Sequence, residues 1–333
     1  MRHFTFKIGT ILLVLAAAFV VMAVVLLDTP GRSRSKSVKL GRDDHEKTLS
    51  STDTLHTAAF QVNSKSAFDV GDIAELNNLK LTSSMLSAAS KRNAQLRYEL
   101  NWMFGRKSQR GWYLYAPLIN SLLHTEKDPL STGFASSVAS WQTTTGLTPS
   151  GVLDDESFYA MISYWQGRRL KDRSAAQPDQ LLTAPISDFY DPTRDVELLR
   201  VERQTYAAYK RMVAAALADR SLGLARNPKG RKGELAATEK YLKIVSAYRT
   251  REYQEQLRRE APNSGSAGLA VNSPHFTGRA LDLYVGGDPV DTLDSNRAFQ
   301  VQTRVYKWLV RNAERFGFRP YFYEPWHWEY VGR

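Results

Sequence analysis

Two histidines and one aspartate near the end of the chain have the types and spacing to bind one metal ion. The run 280–285 is apolar except for Asp282, and a carboxylate buried in a strand costs free energy unless it is paired or metal-bound. Gly278 permits a tight turn that would bring His275 back beside Asp282. The chain has six histidines, and the other one in the C-terminal region is His327. Two imidazoles and one carboxylate leave a coordination position open for water, as in catalytic zinc sites.

A further carboxylate could serve such a site as general base. Glu324 precedes Pro325, which favours an extended backbone, so we expect a loop that runs into a strand. Glu324 would then lie near His327 without binding the same ion, and could take a proton from water. Each residue alone has an ordinary alternative. His327 could be a core histidine, Asp282 a strand-end cap and Glu324 a surface carboxylate.

Composition narrows the chemistry further. The 333 residues suggest about two domains, and the chain contains no cysteine. Disulfides, thiolate metal ligands and a cysteine nucleophile are therefore excluded. The net charge of +11 suits an anionic membrane surface, an anionic wall polymer or nucleic acid. Because the basic residues are dispersed and no nucleic-acid-binding motif is visible, we expect no nucleic-acid partner.

Three motifs together resemble a known enzyme family. The pattern Ser-x-His-x-x-Gly-x-Ala-x-Asp fills residues 273–282, and Glu-Pro-Trp-His follows at 324–327. Both patterns resemble the LAS metallopeptidases, which include lysostaphin-type enzymes and D-alanyl-D-alanine peptidases. Residues 246–249, Ser-Ala-Tyr-Arg, followed by Gln254, resemble the vancomycin-resistance type of D,D-carboxypeptidase, although Ala247 replaces the usual glycine. The resemblance covers residues 196–330.

The resemblance implies a fold, a cofactor and a set of roles. The implied fold is α+β, a small antiparallel sheet with flanking helices. The implied activity is release of the terminal D-Ala from peptidoglycan stem peptides. An endopeptidase acting on stem peptides or cross-links, and a non-catalytic wall-binding protein, are the alternatives. The implied residues are His275, Asp282 and His327 for one Zn²⁺ per chain, Glu324 as base and then acid, Arg249 on the oxyanion or the substrate carboxylate, Ser273 and Gln254 toward the substrate, and Trp326 lining the site.

The N-terminus suggests a membrane location. Residues 8–27 form an uncharged run of twenty residues, long enough as a helix to span the roughly 30 Å bilayer core. A cleaved signal peptide is the rival, but the apolar run is long and lacks a clear cleavage site, which favours an uncleaved transmembrane helix. Residues 28–70 are polar and read as a tether. Basic residues flank both ends, so orientation follows from function: a single-pass protein of the cytoplasmic membrane with its catalytic domain outside the cytoplasm, in the periplasm or cell wall.

A small helical domain is predicted at residues 72–166. Its final three helices are expected near 116–124, 133–144 and 154–166, with Asp154 as an N-cap. The pairs Trp141-Gln142, Gly146-Leu147 and Gly151-Val152 resemble the three-helix peptidoglycan-binding domain. This resemblance implies binding of the peptidoglycan polymer through residues 116–166, and a plain helical spacer is the alternative.

Two further segments complete the predicted organisation. Residues 167–195 contain proline and many charges, and they read as an interdomain linker. Residues 196–333 are the predicted zinc peptidase domain, which we expect to begin with a long helix from Val196.

Overall fold

A computed structural model of the protein describes residues 81–230, 233–260 and 270–332. They belong to one compact unit, Ser66–Arg333. The predicted membrane helix 8–27 and tether 28–70 lie outside the described residues. Within the described ranges, no helix is both long enough and apolar enough to cross a membrane.

The first part of this unit, residues 83–170, is called the N-terminal region below. Its three predicted helices are present close to their expected positions. They pack with an earlier helix of the predicted helical domain and with a β-hairpin that the sequence did not predict. The Asp154 side chain accepts a hydrogen bond from the Ser157 N–H at 3.0 Å, which confirms the predicted N-cap. The elements are α1 (Ser83–Glu99), β1 (Asn101–Phe104), β2 (Lys107–Arg110), α2 (Ala116–Leu122), α3 (Thr132–Thr144) and α4 (Asp155–Gly167).

Buried hydrogen bonds of Gln142 explain part of the sequence pattern that resembles the peptidoglycan-binding domain. Its Oε1 accepts from the Gly151 N–H at 2.9 Å, and its Nε2 donates to the Val152 carbonyl at 3.0 Å and to the Ser157 hydroxyl at 2.9 Å. Gly151 has a φ of 72°, and a Cβ there would lie 2.9 Å from the Ala135 carbonyl oxygen. These motif residues therefore hold α3, the turn and α4 together.

The second part, residues 181–330, is called the C-terminal region. Its main sheet is antiparallel, in the order β5 (Ile244–Ser246), β6 (Ala280–Leu283), β8 (His327–Tyr330) and β7 (Phe318–Pro320), and β3 (Leu181–Thr183) pairs separately with β4 (Arg200–Glu202). Helices combined with small antiparallel sheets confirm the predicted α+β class. The elements are β3 (Leu181–Thr183), β4 (Arg200–Glu202), α5 (Arg203–Ala218), β5 (Ile244–Ser246), α6 (Arg251–Glu260), β6 (Ala280–Leu283), α7 (Asp294–Gln300), α8 (Arg304–Asn312), β7 (Phe318–Pro320) and β8 (His327–Tyr330).

The long helix of this region begins later than the sequence suggested. Residues Val196–Leu199 form a 3-10 turn and β4 follows, so α5 starts at Arg203 rather than at Val196. The Glu202 carboxylate sets this start, because it accepts from the backbone N–H groups of Gln204 at 3.0 Å and Thr205 at 2.7 Å. The apolar residues before it belong to the 3-10 turn and the strand.

The later residues of the predicted linker 167–195 are packed within the C-terminal region. They include β3, and Leu181 and Phe189 are buried. The Tyr190 N–H donates to the Ile244 carbonyl at 2.9 Å, which extends the pairing along the edge strand β5. The segment therefore helps to cover the sheet.

Aromatic residues from the C-terminal region complete the core of the N-terminal region. Tyr321–Tyr323, between β7 and β8, belong to the same buried cluster as the N-terminal aromatic residues. The Phe322 ring lies 4.9 Å from that of Phe104, 5.5 Å from that of Tyr115 and 6.0 Å from that of Trp165. The chain just before Glu324 is therefore anchored in the N-terminal region.

Candidate metal centre

Strand pairing places two of the three expected ligands side by side. Asp282 on β6 is the register partner of His327 on β8, and of Ser246 on β5. All four residues of β6 and all four of β8 are buried. The Asp282 Oδ1 atom lies 2.9 Å from His327 Nδ1.

A tight turn brings in the third. His275 lies in the 3-10 turn Pro274–Thr277, which ends at Gly278 with a φ of 65°. A Cβ at position 278 would meet the Glu202 backbone nitrogen at 2.9 Å, so the chain can reverse here only with glycine. The reversal leaves His275 Nε2 at 3.3 Å from Asp282 Oδ2.

The three side chains form a compact buried group. One potential ligand atom from each of His275, Asp282 and His327 lies within 4.8 Å of the others. Two imidazole nitrogens and a carboxylate oxygen are the donor set that zinc takes in catalytic sites, and a deeply buried carboxylate needs such compensation. The residues therefore fit one divalent ion, and the three side chains expected as ligands lie together in one buried cluster.

Hydrogen bonds to neighbours orient both imidazoles. His275 Nδ1 lies 2.6 Å from the Ala247 carbonyl oxygen. Because a carbonyl only accepts, this nitrogen carries the proton, and Nε2 is left to face Asp282. His327 is oriented the other way, with Nε2 at 3.3 Å from Glu329 Oε1 and Nδ1 toward Asp282. Each ring thus turns one nitrogen toward the shared centre and is held through the other.

The surroundings shift the pKa values of the three expected ligands in different directions. Burial and the nearby Arg249 lower the pKa of His275 to about 4. Although burial favours the neutral imidazole, hydrogen bonds to Asp282 and Glu329 raise the pKa of His327 to about 9. Although burial also opposes ionisation of Asp282, the adjacent histidines and Arg249 hold its pKa well below its ordinary value.

Glu324 lies beside this group and has a carboxylate oxygen that is available to accept a hydrogen bond. Its Oε2 atom lies 3.9 Å from His327 Nδ1, and its side chain is buried. Within the described residues its Oε1 atom is buried without a hydrogen-bond partner. Burial raises the pKa of Glu324 to about 8, which is suited to a group that exchanges protons near neutral pH.

Arg249 and Gln254 reach the same centre. The Arg249 guanidinium donates to Asp282 Oδ2 at 2.6 Å, to the Ser246 hydroxyl at 2.9 Å and to Gln254 Oε1 at 3.2 Å. The Gln254 amide also donates to the Ala270 carbonyl at 3.1 Å. The structure therefore places a fixed positive charge in contact with a potential metal ligand.

The remaining two expected residues have visible structural contacts. The Ser273 hydroxyl accepts from the His275 N–H at 3.3 Å and caps the 3-10 turn. Trp326 is 3% exposed and belongs to the hydrophobic core of the C-terminal region. Their roles toward a substrate stay predictions.

Glu329 is a site residue that the sequence motifs did not include. Its side chain is fully buried and contacts His327 Nε2. Alternate residues of a strand share one face, so the His-Trp-Glu spacing of residues 327–329 was the available signal.

Comparisons with known proteins find one family model and one solved structure to which the chain is similar. Residues 232–333 match the family model described as VanY, D-alanyl-D-alanine carboxypeptidase. Among solved structures, the chain is similar to VanY from a VanB-type resistance cassette, a vancomycin-resistance D,D-pentapeptidase crystallised as a glutamate-to-alanine mutant with Zn(II). The identity is 27%, the match covers 40% of this chain and 74% of that chain, and the TM-score is 0.26. Comparison with curated proteins finds no match. The family match confirms the prediction that the chain is a peptide hydrolase.

Proposed function

We propose that the protein is a zinc-dependent LAS-type peptidase that removes the terminal D-Ala from peptidoglycan stem peptides. The observation that carries the proposal is the buried group of His275, Asp282 and His327 beside Glu324, in a region that matches the D-alanyl-D-alanine carboxypeptidase model. A zinc ion at this position would supply Lewis acidity, polarising the scissile carbonyl and making water more acidic.

Glu324 would handle the proton in this reaction. It takes a proton from the attacking water as the water oxygen bonds to the peptide carbonyl carbon. It then delivers that proton to the amide nitrogen as the C–N bond breaks, releasing D-Ala and leaving a shortened peptide with a new carboxylate. The side chain suits both steps because burial raises its pKa to about 8.

Arg249 would stabilise negative charge that develops on the substrate. Its guanidinium is held by Ser246 and Gln254, so little reorganisation is needed when the carbonyl oxygen becomes negative. The same cation could pair with the terminal carboxylate of the substrate. Ser273 and Gln254, which border His275 and Arg249, are proposed to orient the peptide.

The test is product analysis with a purified pentapeptide stem. The zinc-loaded protein should release free D-Ala, and internal fragments would instead indicate an endopeptidase. Glu324→Gln should lower kcat by about 10²–10⁴-fold, the typical contribution of a general base, while zinc stays bound. The exposed Glu156→Gln is the matched control and should leave kcat unchanged. Full activity of Glu324→Gln would remove this residue from the mechanism, and absence of any turnover would favour the non-catalytic alternative.

We further propose that the enzyme works outside the cytoplasm on the intact wall. The apolar run 8–27 supports a single-pass anchor and residues 28–70 a tether, while the motif at 134–162 supports contact with the polymer through residues 116–166. Membrane fractionation should recover the full chain with the bilayer. Isolated peptidoglycan should sediment the protein. A chain that stays in the soluble fraction and fails to sediment would contradict both statements.

A further inference from the structure

The Glu329 carboxylate, which contacts His327, is held by the last residues of the N-terminal region and by Arg173 just after them. Glu329 is fully buried, and a buried anion without compensation would be strongly destabilising. Arg169 donates from Nε to Glu329 Oε1 at 3.0 Å and pairs with the same oxygen through Nη2. The Leu170 backbone N–H donates to Oε2 at 2.9 Å, and Arg173 Nη2 lies 3.8 Å from Oε1. All three donors come from the short segment that follows α4.

The sheet register places Glu329 next to the expected metal ligand His327. His327 and Glu329 share one face of β8, opposite Asp282 and Ala280 of β6. Glu329 Oε1 therefore lies between the Arg169 guanidinium and His327 Nε2. Arg169 is itself fixed, because its guanidinium lies 3.9 Å from the centre of the Tyr321 ring and its side chain is 13% exposed.

The two imidazoles are oriented by different kinds of group. His275 is oriented by the Ala247 carbonyl, a backbone group of the C-terminal region. His327 is oriented through Nε2 by a side-chain carboxylate that would turn away or lose its charge without its own partner. The orientation of His275 is thus fixed within the C-terminal region. The orientation of His327 is fixed through Glu329 by Arg169, which belongs to the N-terminal region.

We propose that Arg169 is a positioning residue of the metal centre, which acts through Glu329 to hold His327 with Nδ1 aimed at the ion. The inference rests on the proposed zinc function. It makes the N-terminal region part of the metal centre in addition to any wall-binding role.

The test is the zinc dissociation constant of the full chain, measured by competition with a chromophoric chelator. Arg169→Ala should weaken zinc binding by about 10–100-fold, the usual effect of losing a partner behind a metal-binding histidine. Arg168→Ala is the matched control. Arg168 is the preceding residue and pairs with the exposed Glu314, away from Glu329, so its zinc affinity should equal that of the wild type.

A double-variant comparison separates positioning from general stability. Glu329→Gln keeps an acceptor oxygen for His327 and removes the anion that Arg169 neutralises. If Arg169 acts through Glu329, then Arg169→Ala in the Glu329→Gln background should cause no further loss of zinc affinity. The absorption bands of the cobalt-substituted protein should change in Arg169→Ala and stay unchanged in Arg168→Ala, because only the former disturbs a ligand.

The outcomes are distinct. Wild-type zinc affinity in Arg169→Ala, equal losses in Arg168→Ala, or additive losses in the double variant would each overturn the inference while leaving the proposed function intact. A wild-type chain that binds no zinc would overturn the proposed function and the inference with it.

Discussion

At the scale of single residues, the two histidines of the centre hold protons very differently. His275 faces a neutral carbonyl and a nearby guanidinium, and its pKa falls to about 4. His327 lies between the carboxylates of Asp282 and Glu329, which overcome the effect of burial and raise its pKa to about 9. At neutral pH the metal-free protein therefore carries a proton on His327 and none on His275. A metal ion must displace that proton before it can bind.

This difference predicts how zinc binding depends on pH. Because His327 keeps its proton up to about pH 9, zinc affinity should rise with pH and level off above that value. The slope below it should be at least tenfold per pH unit, as the one proton on His327 requires. Calorimetry in buffers of different ionisation enthalpy at pH 7.5 should detect release of at least one proton per zinc, because His327 and, in part, Glu324 are protonated there. A zinc affinity that does not change between pH 6 and 9 would contradict the protonation of His327.

The ligand group was predictable from sequence because its residue types stand at fixed positions in short motifs. His275, Gly278 and Asp282 lie within one turn and strand, and their relation is local. The Glu329 contact with Arg169 was not predictable, because the two residues are 160 positions apart. Its origin is tertiary, so no local sequence pattern connects the two residues.

At the scale of elements, the turn at Gly278 connects a 3-10 turn to a buried strand within a narrow space. The sequence predicted this turn and the strands at β6 and β8. It did not predict the β1–β2 hairpin, in which Gly105 and Arg106 both have positive φ. Strands this short carry little pattern of their own, and packing of Trp102 into the core stabilises the hairpin.

Substitution of Gly278 should damage the centre through this turn. Gly278→Ala should lower the free energy of unfolding and weaken zinc binding, because the added Cβ would meet Glu202 and Leu181 at 2.9 Å. Gly223→Ala is the control, since Gly223 has the same φ of 65° and an added Cβ there would have no atom of the described residues within 4 Å. It should cost only the left-handed backbone strain of about 1–2 kcal/mol and leave zinc affinity unchanged. Thermal unfolding and zinc titration of both variants make the comparison, and equal effects would argue against the close approach.

At the scale of the whole molecule, the two regions share the loop that carries Glu324. Tyr321–Tyr323 enter the N-terminal core, and Arg297 of α7 donates to the Tyr115 hydroxyl at 2.6 Å. The Arg297 guanidinium also lies 4.2 Å from the centre of the Tyr323 ring. The sequence suggested separate domains joined by a linker. Local sequence patterns predict helices and strands, but they do not show which surfaces pack against each other. Domain boundaries at 166 and 196 remain predictions, but the described regions pack as one unit.

Removal of Phe322 should reveal this dependence. Phe322→Ala should lower the free energy of unfolding by about 3–5 kcal/mol, as for other large buried aromatic side chains. It should also reduce kcat, because the loop that positions Glu324 loses its anchor, while zinc remains bound. Phe299→Ala removes an aromatic ring that is 56% exposed and should change both quantities little. Loss of stability with unchanged kcat would show that the anchor does not position Glu324.

Anomalous diffraction at the zinc edge from crystals of the zinc-loaded protein tests the central claim most directly. We predict one strong peak per chain, about 2.0–2.2 Å from His275 Nε2, an Asp282 carboxylate oxygen and His327 Nδ1. Glu324 should lie beside the ion without binding it directly. A zinc peak held by other residues, or no peak within reach of these three side chains, would contradict the proposed metal centre.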